Sequence, residues 1–359
     1  MKTPMMNCAY PRTVLWCLAA GLMSLASGAC LAADESKNGT KEAAPQYELG
    51  SGLRLGNSGF YVGGYGSLEY SAAENAEPDF ALSHADLFLW WEGRSGLKFF
   101  SEVDAEYELA TKRNPDLGEQ RNLSLARLYL DDTFSDAVTL RVGKFLTPIG
   151  RWNLIHADPL VWTTSRPLPT KQPFPQSATG AMALGTFSLL GHPVDYNLYV
   201  SANGDLHKDV NESEFHKAIG LRFNVPVSDA TQVGFSYVKF SQNPDVENRQ
   251  TLIGLDLLWS HHGYEIMGEA IRRVSSQGPQ DDELGGYLQA AVPLYGRLYG
   301  VVRLEANHQA SPEQTIRNGI FGLAYRQSRA VSYKAEIDRG LSTTGNASVS
   351  FLTSVSVLF

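Results

Sequence analysis

Residues 97–109 read LKFFSEVDAEYEL. Leu97, Phe99, Val103, Ala105, Tyr107 and Leu109 fall on one parity, and Lys98, Glu102, Asp104, Glu106 and Glu108 on the other, with Phe100 and Ser101 as exceptions. Successive side chains of an extended chain point to opposite faces, so this stretch is a strand with one apolar and one charged face. An apolar face of that purity needs a hydrophobic surround, while the charged face needs water. In lipid such a sheet must close on itself, because open edges leave N–H and C=O groups unpaired. The last strand repeats the pattern. Ala347, Val349, Phe351, Val355, Val357 and Phe359 share a face against Ser348, Ser350, Ser354 and Ser356, with Leu352, Thr353 and Leu358 out of pattern.

About sixteen runs of similar length fill the chain between Phe60–Tyr70 and Asn346–Phe359. Short turns such as Ser135-Asp136-Ala137 and His261-His262-Gly263 follow every second run. Most of the other connections are longer and polar. Short turns on one side and long loops on the other are the asymmetry of an outer-membrane barrel. The expectation is therefore all-β: a transmembrane antiparallel β-barrel of about 16 strands over residues 58–359. Trp91, Phe99, Trp259 and Tyr264 flank the short turns, where an aromatic girdle is expected.

The N-terminus is different in kind. Lys2 and Arg12 are the only charges before Asp34, and Thr13 to Ala26 is an apolar run of 14 residues followed by small residues. That pattern predicts a signal peptide over residues 1–32 and hence export. An alternative is a lipoprotein signal with Cys30 as the acylated residue. All 3 cysteines (Cys8, Cys17 and Cys30) fall in this leader, so no disulfide, thiolate metal site or cysteine nucleophile is expected in the mature chain. Residues 33–57 are polar and aperiodic, and read as a short periplasmic lead without regular structure. Across all 359 residues, 30 Lys+Arg against 38 Asp+Glu give a net charge of -8, which excludes non-specific nucleic-acid binding. No later apolar run approaches the ~20 residues of a membrane helix.

Catalytic readings are weak. Ser83-His84 with Asp86 suggests hydrolase chemistry, but parity sends Ser83 and His84 to opposite faces. His261-His262 lacks the further ligands of a metal site. Gly63-Gly64-Tyr65-Gly66 lies within a strand, which suits close backbone approach rather than phosphate binding. No catalytic residue, cofactor or metal is expected.

The chemistry is then that of a pore, where rings or rows of charge set selectivity. Glu102, Asp104, Glu106 and Glu108 form an acidic row on one wall, joined by Asp131 and, by parity, Asp86, Asp256, Glu269, Glu305 and Glu336. Arg127, Arg141, Arg303 and Lys334 are the principal basic candidates. The longest connection, residues 147–177, is stiffened by prolines and carries Arg151, Arg166 and Lys171. It either folds inward as a constriction or caps the barrel mouth. The wall favours cations and the loop favours anions.

The segment Leu125-Ala126-Arg127-Leu128-Tyr129-Leu130-Asp131, with Leu140 to Gly150 (LRVGKFLTPIG), resembles the phosphate-selective porin O/P family over about Asn122–Asn153. The terminal Phe359 resembles the signal read by the barrel-assembly machinery of Gram-negative outer membranes. The resemblance implies a sixteen-stranded porin in the outer membrane, assembled as a homotrimer, in contact with outer-membrane lipid and passing small hydrophilic solutes or ions. Phosphate or other anions are among the solutes it implies. The runners-up are a sealed structural or adhesive barrel and an outer-membrane barrel enzyme.

Overall fold

The computed structural model describes residues 46–359 except 75, 94, 108–120, 156, 172, 203, 208–212, 243–248, 277–281 and 343–347. The leader expected at 1–32 and the Glu108 position lie outside the described residues. Within the lead, β1 (Gln46–Glu48) and β2 (Gly52–Arg54) form a small antiparallel pair, where polarity alone predicts no regular structure. β2 continues onto the start of the next strand at Leu53–Val62, which gives this polar segment a backbone partner.

The remaining strands make the barrel. They are β3 (Phe60–Ala73), β4 (Asp79–Glu92), β5 (Leu97–Tyr107), β6 (Arg121–Ser135), β7 (Val138–Leu146), β8 (Ser177–Leu189), β9 (His192–Ala202) and β10 (Lys217–Ser228). They continue as β11 (Thr231–Ser241), β12 (Gln250–His261), β13 (Tyr264–Ser275), β14 (Glu283–Tyr295), β15 (Leu298–Ala310), β16 (Glu313–Arg326), β17 (Val331–Ser342) and β18 (Ser348–Leu358). Each pairs antiparallel with its sequence neighbour, and β18 pairs with β3, so sixteen strands close without an edge. The last residue completes the seam: the Phe359 N–H donates to the Gly64 carbonyl and the Gly64 N–H to the Phe359 carbonyl, both at 2.8 Å. The predicted fold class and strand number are those observed. β15 and β16 are joined through residues 311–312 alone.

Period two sorts the side chains. Val142, Ile219, Leu304 and Phe321 are all at least 60% exposed and belong to an apolar outer surface. Ser354 and Ser356 of β18 are buried inside, while Val349, Phe351 and Val355 face out. Bulges interrupt the alternation. Ser67 pairs with His84 but Leu68 with Leu82, which leaves Ser83 as the extra residue in β4. Glu102 pairs with Arg127 but Val103 with Leu125, so Ala126 is the extra residue in β6. Such bulges re-aim the side chains around them.

Candidate functional site: a loop-narrowed lumen

The connection after β7 folds inward and binds the inner wall. Its base is closed by Thr147, whose N–H donates to the Gln176 carbonyl (2.8 Å) and whose hydroxyl donates to the Pro175 carbonyl (2.7 Å). Asn153 donates to the carbonyls of Thr147 and Gln176, and Arg166 reaches Asn153 Oδ1 (3.0 Å), Gln176 Oε1 (2.6 Å) and the Thr170 carbonyl (3.1 Å). Gly150 makes the turn possible. Its φ is +64°, and a Cβ there would lie 1.9 Å from Glu269 Oε2.

Most of the polar docking runs over β10 to β18. Wall carboxylates accept the loop's donors. Glu269 takes the Trp152 N–H (2.6 Å), Glu265 the Trp162 indole (2.6 Å) and Glu305 the Leu168 N–H (3.1 Å). Glu336 takes two backbone groups, Thr164 N–H (3.0 Å) and Ser165 N–H (2.8 Å). Wall cations satisfy the loop's carbonyls in turn. Arg303 donates to the Ser165 carbonyl and to the hydroxyls of Thr163 and Ser165, and Lys334 donates to the carbonyls of Asp158 (2.6 Å) and Thr163 (3.3 Å). Backbone N–H and C=O groups inside a barrel have to be paired, and here ionised side chains do it with charge-assisted bonds.

Apolar contacts reinforce the docking. Trp152 and Val161 pack with Met267 and Tyr287, and Trp162 packs with Ala291, Val301 and Ala324. Ile149 and Phe174 join a larger cluster with Tyr199, Val238, Phe240 and Leu252. Burying one such side chain contributes about 1.5–3 kcal/mol.

A cavity lies open against the other wall. It has a volume of about 270 Å³ and is bounded on the wall side by Glu69, Ser83, His84, Asp86, Asp104, Ser124 and Lys144, and on the loop side by Trp152, Asp158, Thr164, Arg166 and Gln176. Four carboxylates thus face two fixed cations, and Lys144 is itself 2.8 Å from Asp205.

The sequence-derived candidates divide accordingly. Asp104 lines the opening and meets His84 at 3.3 Å. Glu102 is fully buried and paired with Arg127, so it belongs to the wall and not to the water-facing row. Glu106 stands in β5 opposite Asn122, with its side chain outside the described part, as all of Glu108 is. Asp131 and Arg141 form a two-bonded pair at 2.7 and 2.8 Å. Arg303 and Lys334 were expected to face water but are 0% and 3% exposed, because the loop covers them. Arg151 is likewise turned to the wall, donating to Asn224 (2.9 Å) and Gln232 (3.0 Å) with Asp256 at 3.4 Å. Burial lowers the Arg151 pKa, and Asp256 opposes that shift. Arg166 lines the cavity, and Lys171 is exposed.

Two features escaped sequence reasoning. The bulge at Ser83 places both Ser83 and His84 on the cavity, which overturns the opposite-face expectation. The Ser83 hydroxyl donates to the Ser67 carbonyl (3.3 Å), while His84 Nδ1 faces Asp104. Phe100, out of pattern in sequence, belongs to an inner aromatic row. Tyr65, Phe88, Phe100 and Tyr129 follow one another at 5.4–5.9 Å, with Arg127 over Phe100 and Arg141 over Tyr129.

Solved structures with the same architecture decide the fold. An anion-selective porin from Comamonas acidovorans superposes with a TM-score of 0.61 at 9% identity, over 84% of this chain and 99% of that one. The fold is that of the outer-membrane porins. OmpF of Salmonella typhi, solved with daunomycin, gives a TM-score of 0.65 at 8% identity, covering 84% of this chain and 99% of that one. The outer membrane channel DcaP of Acinetobacter baumannii gives 0.59 at 10% identity, covering 86% of this chain and 100% of that one. In sequence, an uncharacterized protein of Aquifex aeolicus (strain VF5) is 29% identical over 235 residues, or 58% of this chain. The chain spans about half (51%) of the length of that curated relative. No family model matches the chain.

Proposed function

We propose that this chain is an outer-membrane porin through which small hydrophilic solutes and ions diffuse passively, with cations favoured at the narrowest point. One observation carries the reading: the connection between β7 and β8 is bound to the inner wall and leaves an opening lined by Glu69, Asp86, Asp104 and Asp158 against Lys144 and Arg166. In a passage this small, ions pass well within the ~8 Å over which salt screens charge, so the excess of carboxylates acts on each one. The basic residues that would favour anions do other work. Arg303, Lys334 and Arg151 hold the loop, and Lys144 is paired. The phosphate preference implied by the resemblance around Asn122–Asn153 therefore gains no support from the lumen.

The reading requires no covalent chemistry and no cofactor. It places the apolar outer surface in lipid and the long loops outside the cell. It also takes residues 1–32 as the export signal, Phe359 as the contact for the barrel-assembly machinery, and a homotrimer as the assembled form. A size series of uncharged sugars in a proteoliposome swelling assay tests it. Uptake that falls steeply between monosaccharides and trisaccharides is the expected result. No uptake of any sugar by folded protein would contradict it.

A further inference from the structure

We propose that His84, Asp86 and Asp104 form a binding site for a divalent transition-metal ion of the zinc class, on the wall of the constriction. His84 and Asp86, two residues apart on β4, share the inner face, and Asp104 comes from β5 beside them. The pairing of β4 with β5 shifts register between Leu82 and Leu87, which frees this stretch of wall from regular spacing. His84 Nδ1 lies 3.3 Å from Asp104 Oδ2 and 3.8 Å from Asp86 Oδ2, and the three donors fall within 4.8 Å of one another. Ligands held at about 2.0–2.2 Å around a tetrahedral ion stand about 3.3–3.6 Å apart, so an ion fits among them with small side-chain movements.

A second observation points to a missing partner. Asp86 is only 2% exposed, and its Oδ2, the oxygen turned to His84, has no hydrogen-bond partner. Asp104 Oδ1 and the neighbouring Ser67 hydroxyl are also buried without one. Buried carboxylates are ordinarily paired or bound to metal. Arg127 is engaged elsewhere, paired with Glu102 and lying over Phe100. One nitrogen and two carboxylates suit zinc, cobalt or nickel, whereas magnesium and calcium select all-oxygen sites. The cavity side stays open for water, and a bound ion there would neutralise the carboxylates that attract passing cations.

Cobalt(II) is the first probe and Zn²⁺ the second, titrated into the folded barrel in detergent. One Co²⁺ per chain with the absorption of a tetrahedral, histidine-bound ion, displaced by Zn²⁺, is expected. Asp104→Asn and His84→Gln should each weaken binding by more than about tenfold, since loss of even a supporting group at a metal site costs that much. Heat-modifiable gel mobility reports whether each variant has folded. If neither folds, the wild-type cobalt spectrum decides: that of the hydrated ion overturns the proposal. Equal affinity of wild type and folded variants overturns it too. These readouts need no conduction, so the site and the channel reading stand or fall separately. In bilayers, micromolar Zn²⁺ should reduce the wild-type potassium current, with recovery in EDTA.

Discussion

Glu336 holds the loop most economically, and its removal has a calculable effect. Its carboxylate is 2% exposed and accepts the backbone N–H groups of Thr164 and Ser165 at 3.0 and 2.8 Å. Hydrogen bonds to charged groups contribute about 1.5–3 kcal/mol each, and a donor left buried without a partner costs about 1–3 kcal/mol. Glu336→Ala should therefore weaken docking of this segment by about 3–6 kcal/mol. The bonds that Lys334 and Arg303 make to the loop persist. The barrel ladder between β17 and β18 does not involve the side chain, so closure should survive. Single-channel conductance in planar bilayers is the assay, with heat-modifiable mobility as the fold control. The expected result is a larger and noisier conductance and uptake of larger sugars, with Glu336→Gln intermediate. A folded Glu336→Ala barrel with wild-type conductance and the same size limit would refute a loop held by this carboxylate.

Other substitutions probe the remaining contacts. Gly150→Ala forces a left-handed alanine, at about 1–2 kcal/mol, and pushes a methyl into the Glu269 carboxylate, so it should raise conductance in the same assay. Glu69→Gln with Asp104→Asn removes two of the four carboxylates at the opening, and the reversal potential under a KCl gradient with EDTA should move toward zero. Glu102→Gln should leave that potential unchanged but lower the thermal midpoint. Breaking a buried pair costs up to about 3–5 kcal/mol, and less here because Arg127 is 21% exposed.

Period two and the alternation of turns made the barrel legible from sequence, because each strand is long enough for its parity to show. Parity failed at bulges. Ser83 and Ala126 each add one residue that no composition rule marks, and these shifts decide what faces the opening between β4 and β6. Phe100 broke the pattern because it packs inward against Tyr129 and beneath Arg127, a contact between strands rather than along one. The prolines and length of the connection after β7 suggested an inward fold or a cap. Its choice is fixed by wall residues 70 to 190 positions away, among them Ser236, Glu269, Glu336 and Ser354. For the same reason the sequence does not show that Arg303 and Lys334, expected to line the pore, lie beneath the loop: only the tertiary contact places it over them.

The most direct measurement is the reversal potential of the purified, folded protein in a planar bilayer under a KCl gradient, with EDTA present. Stepwise conductance with a potential of the sign for potassium preference is predicted, because the four carboxylates Glu69, Asp86, Asp104 and Asp158 outnumber Lys144 and Arg166 at the opening. Steps with chloride preference would contradict the assignment of the opening to the wall formed by β3 to β5. The absence of steps from folded protein would contradict the channel itself.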